Sequence, residues 1–519
     1  MAKVLVVGGA GYVGSATCAW LIDQGHEVWV LDDLSTGSSK LLLNKNFRQT
    51  KAGDAKAVSK FLSEQTPFDC VMHFAARSLV GESHQKREEY RENNVEQTRR
   101  LIGVLQEHKI RNFIFSSSCA IFGDPGDQPI DESLPKNPLS PYGENKLEVE
   151  GLLERRARDA GLRSIALRYF NAAGAEPQLR VGESHEPETH LIPRLIKSAR
   201  LNQTVEIFGT DYPTPDGTCI RDYIHVWDLA TAHEAAMSRL LRMTDLPSDR
   251  GLFEAYNLGS GTGFSVREVI QGCEEVTGKK LTVCEMPRRP GDPPRLVANS
   301  GLAQKVLGLS PRKTEKRSDL REILSSAWEW EKKRSPLKAV FLDRDGTLNE
   351  DPGYLHDPSL LRLLPRVGES LALLKKAGFL LVVVSNQSGV GRGLIDPRVM
   401  PAIHQKLDDL LKPWNVRIDH YELCFHHPEQ DCVCRKPKPL LLEQSAQKCG
   451  IPLLQSYMIG DKASDLDAGR AAGCQASILV QTRHGKNTQI LLKDGQADFV
   501  APSLWEAAHW ILNRENASS

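Results

Sequence analysis

Tyr142 and Lys146 stand four residues apart, a spacing that puts both on one face of a helix. A neighbouring ammonium favours tyrosinate, which moves the phenol toward use as a base near neutral pH. By itself the pair reads as a surface tyrosine beside a surface lysine. Two upstream features change that reading. Ser116-Ser117-Ser118 closes the apolar run 113–115 and offers a hydroxyl at a strand end. Near the start of the chain, the apolar run 4–7 leads into Gly8, Gly11 and Gly14, spaced G-x-x-G-x-x-G. Glycines there permit a tight turn, close approach of the backbone to a pyrophosphate and close helix–strand packing, with a helix N-terminus facing the phosphates. The next apolar run ends in Leu31-Asp32-Asp33. A carboxylate at Asp32 can accept from an adenosine ribose 2′-hydroxyl and repels a 2′-phosphate, so the cofactor expected is NAD rather than NADP.

A second set lies far downstream. Asp343 and Asp345 follow the apolar run 338–342. In a strand-end loop, carboxylates at i and i+2 can converge on one Mg²⁺, and the first keeps an oxygen free to attack phosphorus. The second can protonate the leaving oxygen. Two acids at this spacing are ordinarily turn chemistry, but three further pieces follow in order. Ser385-Asn386, after 381–384, offers a hydroxyl for a phosphoryl oxygen. Arg435-Lys436-Pro437 supplies cations. Asp461, in Met458-Ile-Gly-Asp461-Lys462 with Asp465 beyond it, supplies another strand-end carboxylate for the metal. Cys424-Phe-His426 and Cys432-Val-Cys434 form C-x-H-x5-C-x-C. Four such ligands suit tetrahedral Zn²⁺ closed by protein, a structural site that would fix Arg435 and Lys436 just after it. His427 ranks second to His426 as ligand.

The elements that must position these residues are legible too. Apolar β-branched runs at 4–7, 27–31, 70–74, 113–116 and 164–168 alternate with amphipathic stretches, the pattern of a parallel sheet with crossover helices. Residues 331–337 are charged and proline-broken, and then the pattern restarts at 338–342, 380–384, 456–459 and 477–480. The expectation is α/β throughout. One unit spans 1–333, with a smaller substrate lobe mainly within 171–300; a linker follows at 331–337, and a second unit at 337–519. The 519 residues allow three or four domains at ~150 residues each. The 66 basic and 66 acidic residues cancel, which argues against a nucleic-acid partner. Eleven cysteines are too sparse for a disulfide scaffold, and three crowd into 424–434, as in a metal site of a reducing compartment. The first residues enter a strand at once, and no apolar run approaches the ~20 residues of a membrane span. A cytoplasmic protein with small-molecule substrates and no membrane partner is expected.

The first half resembles the extended short-chain dehydrogenase/reductase family, and within it the UDP-glucose (UDP-galactose) 4-epimerases, along residues 2 to about 330. The supporting segments are His73-Phe74-Ala75-Ala76, Asn93-Asn94-Val95, the blocks 116–123, 168–174 and 188–193, the long block 207–225, and Arg288 to Asp292. The resemblance implies a Rossmann-type sheet and a route through a 4-keto sugar: Tyr142 takes the 4-hydroxyl proton with Ser118 bridging, and the C4 hydride passes to NAD and back. Lys146 would hold the nicotinamide ribose and lower the pKa of Tyr142. Gly8, Gly11, Tyr12, Val13, Gly14, Asp32, Asp33, Asp54, Phe74, Ala75 and Asn94 would contact the cofactor, Asp54 at the adenine. Asn171, Arg221 and Arg289 would hold the diphosphate, where arginine offers forked donors, and Asp292 the uridine ribose. The family also implies a homodimer formed through this unit. Ser78 stands where the best-known bacterial enzymes carry a lysine. Leu296 aligns near the position that gates room for an N-acetyl group, which leaves UDP-N-acetylhexosamines open.

The second half resembles haloacid-dehalogenase superfamily phosphatases over residues 337 to about 483, a Rossmannoid fold here carrying a zinc loop. The cysteine motif points to the branch with D-glycero-D-manno-heptose 1,7-bisphosphate and histidinol-phosphate phosphatases. Residues 345–349, Gly353-Tyr-Leu-His356 and Asn386 to Gly393 look like the heptose enzymes. The resemblance implies Asp343 as nucleophile and Asp345 as acid/base. Asp343, Asp345 and Asp461 would ligate Mg²⁺, Ser385, Asn386, Arg435 and Lys436 would bind substrate, and Cys424, His426, Cys432 and Cys434 would ligate Zn²⁺. Both activities would feed nucleotide-sugar supply for surface polysaccharide. An epimerase acting on an ADP-heptose, a histidinol-phosphate phosphatase, and a scaffolding role for one half are the rival readings.

Overall fold

The apolar runs become parallel strands because helices from the intervening segments cover both sheet faces. The computed structural model describes every residue except 66, 186–187, 202, 244–249, 290–291, 310–318, 335–337, 494 and 518–519. The chain divides into two compact units, Met1–Arg334 and Ser335–Ser519.

In the first unit the strands are β1 (Lys3–Val7), β2 (Glu27–Asp32), β3 (Phe47–Gln49), β4 (Cys70–His73), β5 (Asn112–Ser118), β6 (Arg163–Tyr169), β7 (Asn171–Ala173), β8 (Val205–Phe208), β9 (Ile220–His225), β10 (Leu252–Leu258), β11 (Gly263–Ser265), β12 (Val283–Met286) and β13 (Arg295–Leu296). Seven form a parallel sheet in the order β10-β6-β5-β4-β1-β2-β3. The chain reverses direction across the sheet between β1 and β4, and the crevice at such a switch point, beyond the carboxyl ends of the strands, is where open α/β sheets bind ligands. On one face Val4, Val6 and Met72 pack with Leu21 and with Leu229, Ala236 and Leu240 of helix Val226–Arg242. On the other, Leu5, Val7 and Val71 pack with Phe61, Leu101 and Leu152.

The smaller lobe is built on β9, which pairs with β7, β11 and β13, while β8 pairs with β12. Its core takes Ile323 and Leu324 from helix Leu320–Arg334. This corrects the expected linker. Residues 331–334 are the last turn of that helix, Glu331 is buried, and its carboxylate pairs with Arg334 at 2.7 Å. The run of charges misled because long charged side chains can cover a buried helix end. Residues 335–337 lie outside the described residues.

The second unit holds β14 (Lys338–Leu342), β15 (Phe379–Asn386), β16 (His420–Cys424), β17 (Tyr457–Gly460), β18 (Ala476–Val480) and β19 (Phe499–Ala501). All are parallel, in the order β16-β15-β14-β17-β18-β19. The carboxyl ends of β14, β15 and β17 therefore lie side by side, and these ends carry Asp343, Ser385 and Asp461. Beyond residue 485, β19 and helix Leu504–Ala517 complete the core through Leu504, Ala508 and Ile511. Among the described residues, no helix is long and apolar enough to cross a membrane.

Candidate active sites

Gly8 has φ +84°, and a Cβ there would lie 2.4 Å from the Ala75 nitrogen; one on Gly14 would lie 2.2 Å from the Gly8 carbonyl oxygen. No side chain fits either position. Gly11 is the N-cap of helix Tyr12–Asp23, so the first free N–H groups of that helix open at the turn. Asp32, at the end of β2, accepts from Ala10 N at 3.0 Å and Leu34 N at 2.8 Å, and its burial raises its pKa. The turn opens on a cavity of about 1020 Å³. Val13, Asp33, Phe74 and Ala75 line the same wall, and Tyr12, also on it, donates to the Gly174 carbonyl at 2.6 Å. These features fit a dinucleotide.

Ser118, Tyr142 and Lys146 line the same cavity. Ser140 N-caps helix Pro141–Ala160, with proline in its first turn, which sets Tyr142 and Lys146 one turn apart. The Ser118 hydroxyl bonds the phenol, but burial and then Tyr169 push the Tyr142 pKa up. Lys146 Nζ lies 5.6 Å from the Tyr142 ring centroid and donates to the Ser116 carbonyl at 2.6 Å. Burial lowers the Lys146 pKa to about 7, with Glu150 opposing. Glu150 itself is taken by a buried two-pronged bond from Arg168, at 2.9 and 2.6 Å. The net shift of the Tyr142 pKa is thus upward, against the depression expected from Lys146, because burial disfavours the phenolate.

At the other end of the cavity Arg221 forms an ion pair with Asp292. Asn171 donates to the Asp222 carbonyl at 3.0 Å, and the Arg289 guanidinium lies 3.9 Å from the Phe208 ring centroid. Ser78 and Leu296 are on the lining as well.

Two expected cofactor contacts are off this wall. Asp54 is the N-cap of helix Ala55–Ser63 and accepts from Ala57 N at 3.0 Å. Asn94 is buried and both accepts from and donates to the Arg77 backbone, at 2.8 and 3.0 Å, which holds the loop after β4. Short polar side chains readily satisfy nearby backbone in this way.

In the second unit Asp343, Asp461 and Asp465 bring carboxylate oxygens within 4.8 Å of one another. Lys436 Nζ joins Asp343 at 2.8 Å and Asp465 at 2.7 Å; despite burial, these two acids raise its pKa. Burial, then Asp343, raise the Asp461 pKa to about 7, and its Oδ1 is buried without a partner among the described residues. A buried cluster of acids with an orphaned oxygen fits a divalent cation. Gly346, at φ +87°, admits the Asp461 carboxylate, since a Cβ there would lie 2.4 Å from it.

Three residues expected at this site have protein partners, and one of them leaves the metal cluster. Asp345 stands outside the acid cluster, because Arg344 donates to both of its oxygens, at 3.0 and 2.7 Å. Burial works the other way, but Arg344, Gln387 and Asn349 hold the Asp345 carboxyl below its ordinary range. Ser385 donates to Asp343 at 2.9 Å. The amide of Asn386 is engaged with the Lys436 backbone, at 3.1 Å in each direction. Arg435 has a buried Nη1 with no partner among the described residues, as an anion-binding guanidinium would.

Cys424, His426, Cys432 and Cys434 gather at the end of β16. Cys424 Sγ is 3.6 Å from His426 Nδ1 and 3.7 Å from Cys432 Sγ, and Cys434 Sγ is 3.3 Å from His426 Nδ1 and 3.9 Å from Cys432 Sγ. Donors of a tetrahedron with metal–sulfur bonds of ~2.3 Å have edges of this length. His427 is outside the group and accepts from Glu429 N at 3.2 Å.

Residues 4–259 match the profile of the NAD dependent epimerase/dehydratase family. A UDP-glucose 4-epimerase of Halalkalibacterium halodurans is 44% identical over 330 residues, 63% of this chain and 95% of that protein. This chain belongs to the NAD dependent epimerase/dehydratase family. One of Corynebacterium glutamicum is 41% identical over 327 residues, 63% of this chain and 94% of that protein. The solved UDP-glucose 4-epimerase of Brucella ovis, in complex with NAD, is 43% identical with a TM-score of 0.59, over 63% of this chain and 98% of that one. Outside the epimerase/dehydratase part, residues 433–507 match a HAD-hydrolase-like profile. That stretch carries Cys434, Arg435, Lys436, Asp461 and Asp465.

Some residues of this family member's sites were missed in the sequence. Tyr169, bonded to Ser116, lines the cavity beside Tyr142. Glu183, His185, Glu188 and His190 stand together on its wall as two carboxylate–imidazole pairs, at 2.5 and 2.8 Å. The twice-repeated Glu-x-His was the available signal. Asp465 was noted beside Asp461 but not as a member of the acid cluster, and Gln387 carried no role.

Proposed function

We propose that the first unit is an NAD-dependent UDP-hexose 4-epimerase, acting on UDP-glucose and UDP-galactose. The observation that carries this is the meeting of Ser118, Tyr142 and Lys146 with the glycine turn and with Arg221 and Arg289 in one cavity. Tyr142, assisted by Ser118, takes the proton of the sugar 4-hydroxyl and later returns it. NAD, held by Gly8, Gly11, Tyr12 and Gly14 at the turn, would supply the reversible hydride chemistry at C4. Lys146 is the cation beside the phenol. Arg221, Arg289 and Asn171 anchor the diphosphate while the sugar turns, with Asp292 at the uridine ribose.

The second unit, on this reading, is a Mg²⁺-dependent phosphatase of D-glycero-D-manno-heptose 1,7-bisphosphate, with a structural zinc. The grouping of Asp343, Asp461, Asp465 and Lys436 supports phosphoryl transfer. Asp343 is the nucleophile, Asp343 and Asp461 hold Mg²⁺, and Lys436 with Arg435 neutralises the phosphoryl group. Asp345 is the acid/base. Cys424, His426, Cys432 and Cys434 hold Zn²⁺ and aim Arg435 and Lys436.

Purified protein, assayed against UDP-glucose, UDP-galactose and their N-acetyl forms, an ADP-heptose, heptose 1,7-bisphosphate and histidinol phosphate, tests both halves. Turnover of an ADP-heptose in place of every UDP-sugar would overturn the first reading. Histidinol phosphate as the preferred substrate would overturn the second.

A further inference from the structure

Glu183, His185, Glu188 and His190 stand on the cavity wall of the first unit, and the epimerase chemistry uses none of them. One donor atom from each lies within 4.8 Å of those of the other three. His185 Nδ1 is 2.5 Å from Glu183 Oε1, and His190 Nδ1 is 2.8 Å from Glu188 Oε1. With metal–ligand bonds of ~2.0–2.2 Å, neighbouring ligands of one ion stand ~3 Å apart and opposite ones ~4 Å, so the group is close to the size of a coordination shell. The backbone holds the carboxylates in place. Glu183 Oε1 accepts from Ser184 N at 2.7 Å and His185 N at 3.0 Å, and Glu188 Oε1 accepts from His190 N at 2.7 Å. The Glu183 and Glu188 side chains are only 10% and 8% exposed, and charge buried to that degree needs a partner. Two imidazoles balance two carboxylates only if both carry an extra proton, and their ring centroids are 5.9 Å apart, where two imidazolium ions repel. One divalent cation balances the same carboxylates and leaves both imidazoles neutral. Imidazole and carboxylate together suit a borderline ion such as Zn²⁺, whereas Mg²⁺ takes oxygen ligands.

We propose that Glu183, His185, Glu188 and His190 form a site for a divalent transition metal of the Zn²⁺ type, separate from the cysteine loop, which cross-links the wall segment leading into helix Leu191–Leu201. With four protein ligands the ion has no open position, so it shapes the wall and takes no part in the hydride chemistry. Both carboxylates act on Tyr12, whose pKa burial, then Glu183 and Glu188, push up, so the ion braces the cavity beside the glycine turn.

The experiment strips the full chain with a chelator, refills it with Zn²⁺ in the presence of excess Mg²⁺, and counts the zinc that survives dialysis by elemental analysis. The unsubstituted chain should keep one zinc more than His185→Gln or Glu188→Gln, and Cys432→Ser should keep the zinc that those two variants lose. Refilling with Co²⁺ reads the same site with no change to its residues. Thiolate ligands give an intense near-ultraviolet charge-transfer band and nitrogen and oxygen ligands do not, so Co²⁺ in Cys432→Ser should show visible bands alone. A zinc count unmoved by His185→Gln and Glu188→Gln, or a Cys432→Ser chain that takes up no Co²⁺, would overturn the proposal and leave the four side chains as two ion pairs. A cysteine loop that binds no metal would lower the counts of the unsubstituted chain and of the two cavity-wall variants equally and leave their difference in place, so failure of that assignment is read separately.

Discussion

The indole Nε1 of Trp330 donates to the carbonyl of Glu183 at 2.7 Å, although 147 residues separate them in sequence. The same ring covers Gly182, where a Cβ would lie 2.7 Å from it. Helix Leu320–Arg334 thereby holds the base of the segment that carries His185 and His190 along the cavity wall. The boundary between independently folding pieces should then fall after Arg334. Residues 1–334 and 335–519, expressed separately, should each be soluble and retain one activity. A first piece ending at 319 should lose Ile323, Leu324 and Trp330 from its core and unfold at much lower temperature, as read by circular dichroism. Equal melting of the two versions would refute this placement.

Tyr142→Phe removes the base and leaves the cavity shape. Epimerase turnover should fall by about 10²–10⁴, within the range of general-base contributions. UDP affinity, measured by calorimetry, should be unchanged. An active variant would exclude Tyr142 as the base.

Lys146 combines function with a stability cost. Its pKa in the folded chain is about 7, against the ordinary 10.5, because burial disfavours the ammonium. Between these values the unfolded chain binds the extra proton, so stability should rise with pH from about 7 to about 10.5. Lys146→Met should abolish epimerisation, yet melt no lower than the parent at pH 7, and it should flatten that part of the pH dependence. A clear drop in melting temperature would count against this.

Asp343→Asn should abolish phosphate release and leave epimerisation intact, since the two sites share no residue. Malachite-green detection of phosphate beside a coupled UDP-glucose assay reads both at once. Impaired epimerisation in this variant would contradict the independence of the sites.

Cys432→Ser should lower zinc content and phosphatase activity together, and added Mg²⁺ should not restore activity, because a metal with four protein ligands has no open position for substrate. Elemental analysis that finds a full complement of zinc in the variant would refute the assignment.

What was legible in the sequence was local. The glycine turn could be read because its spacing is local: Gly14 is closed to a side chain by the Gly8 carbonyl, although what closes Gly8 is the distant backbone of Ala75. The Tyr142–Lys146 spacing needed only a helix. The Cys424–Cys434 spacing needed only a loop tight enough to bring four donors together. Errors came where distant elements decided which way a side chain turned. Asp345 was expected on the metal, but Gln387, just beyond the end of β15, gives Arg344 a partner, and both bond Asp345 outside the acid cluster. Asp54, Asn94 and Asn386 have the chemistry of ligand contacts and are occupied instead by backbone N–H and carbonyl groups. Residues 331–334 looked like a linker because their charge pattern conceals the apolar face on which Ile323 joins the lobe core and Trp330 packs with Val181 and Trp227.

The late position of helix Leu320–Arg334 bears on how the chain is made. β1, an interior strand of the first sheet, emerges from the ribosome long before Ile323 and Leu324, which the core of the lobe needs. Translation at ~5–20 residues per second then leaves roughly 10–40 s, while Ser335–Ser519 is produced, for the first unit to close. The second coding region works as a timer: the first unit can finish folding while still tethered, before the strands of the second exist to compete for its exposed edges.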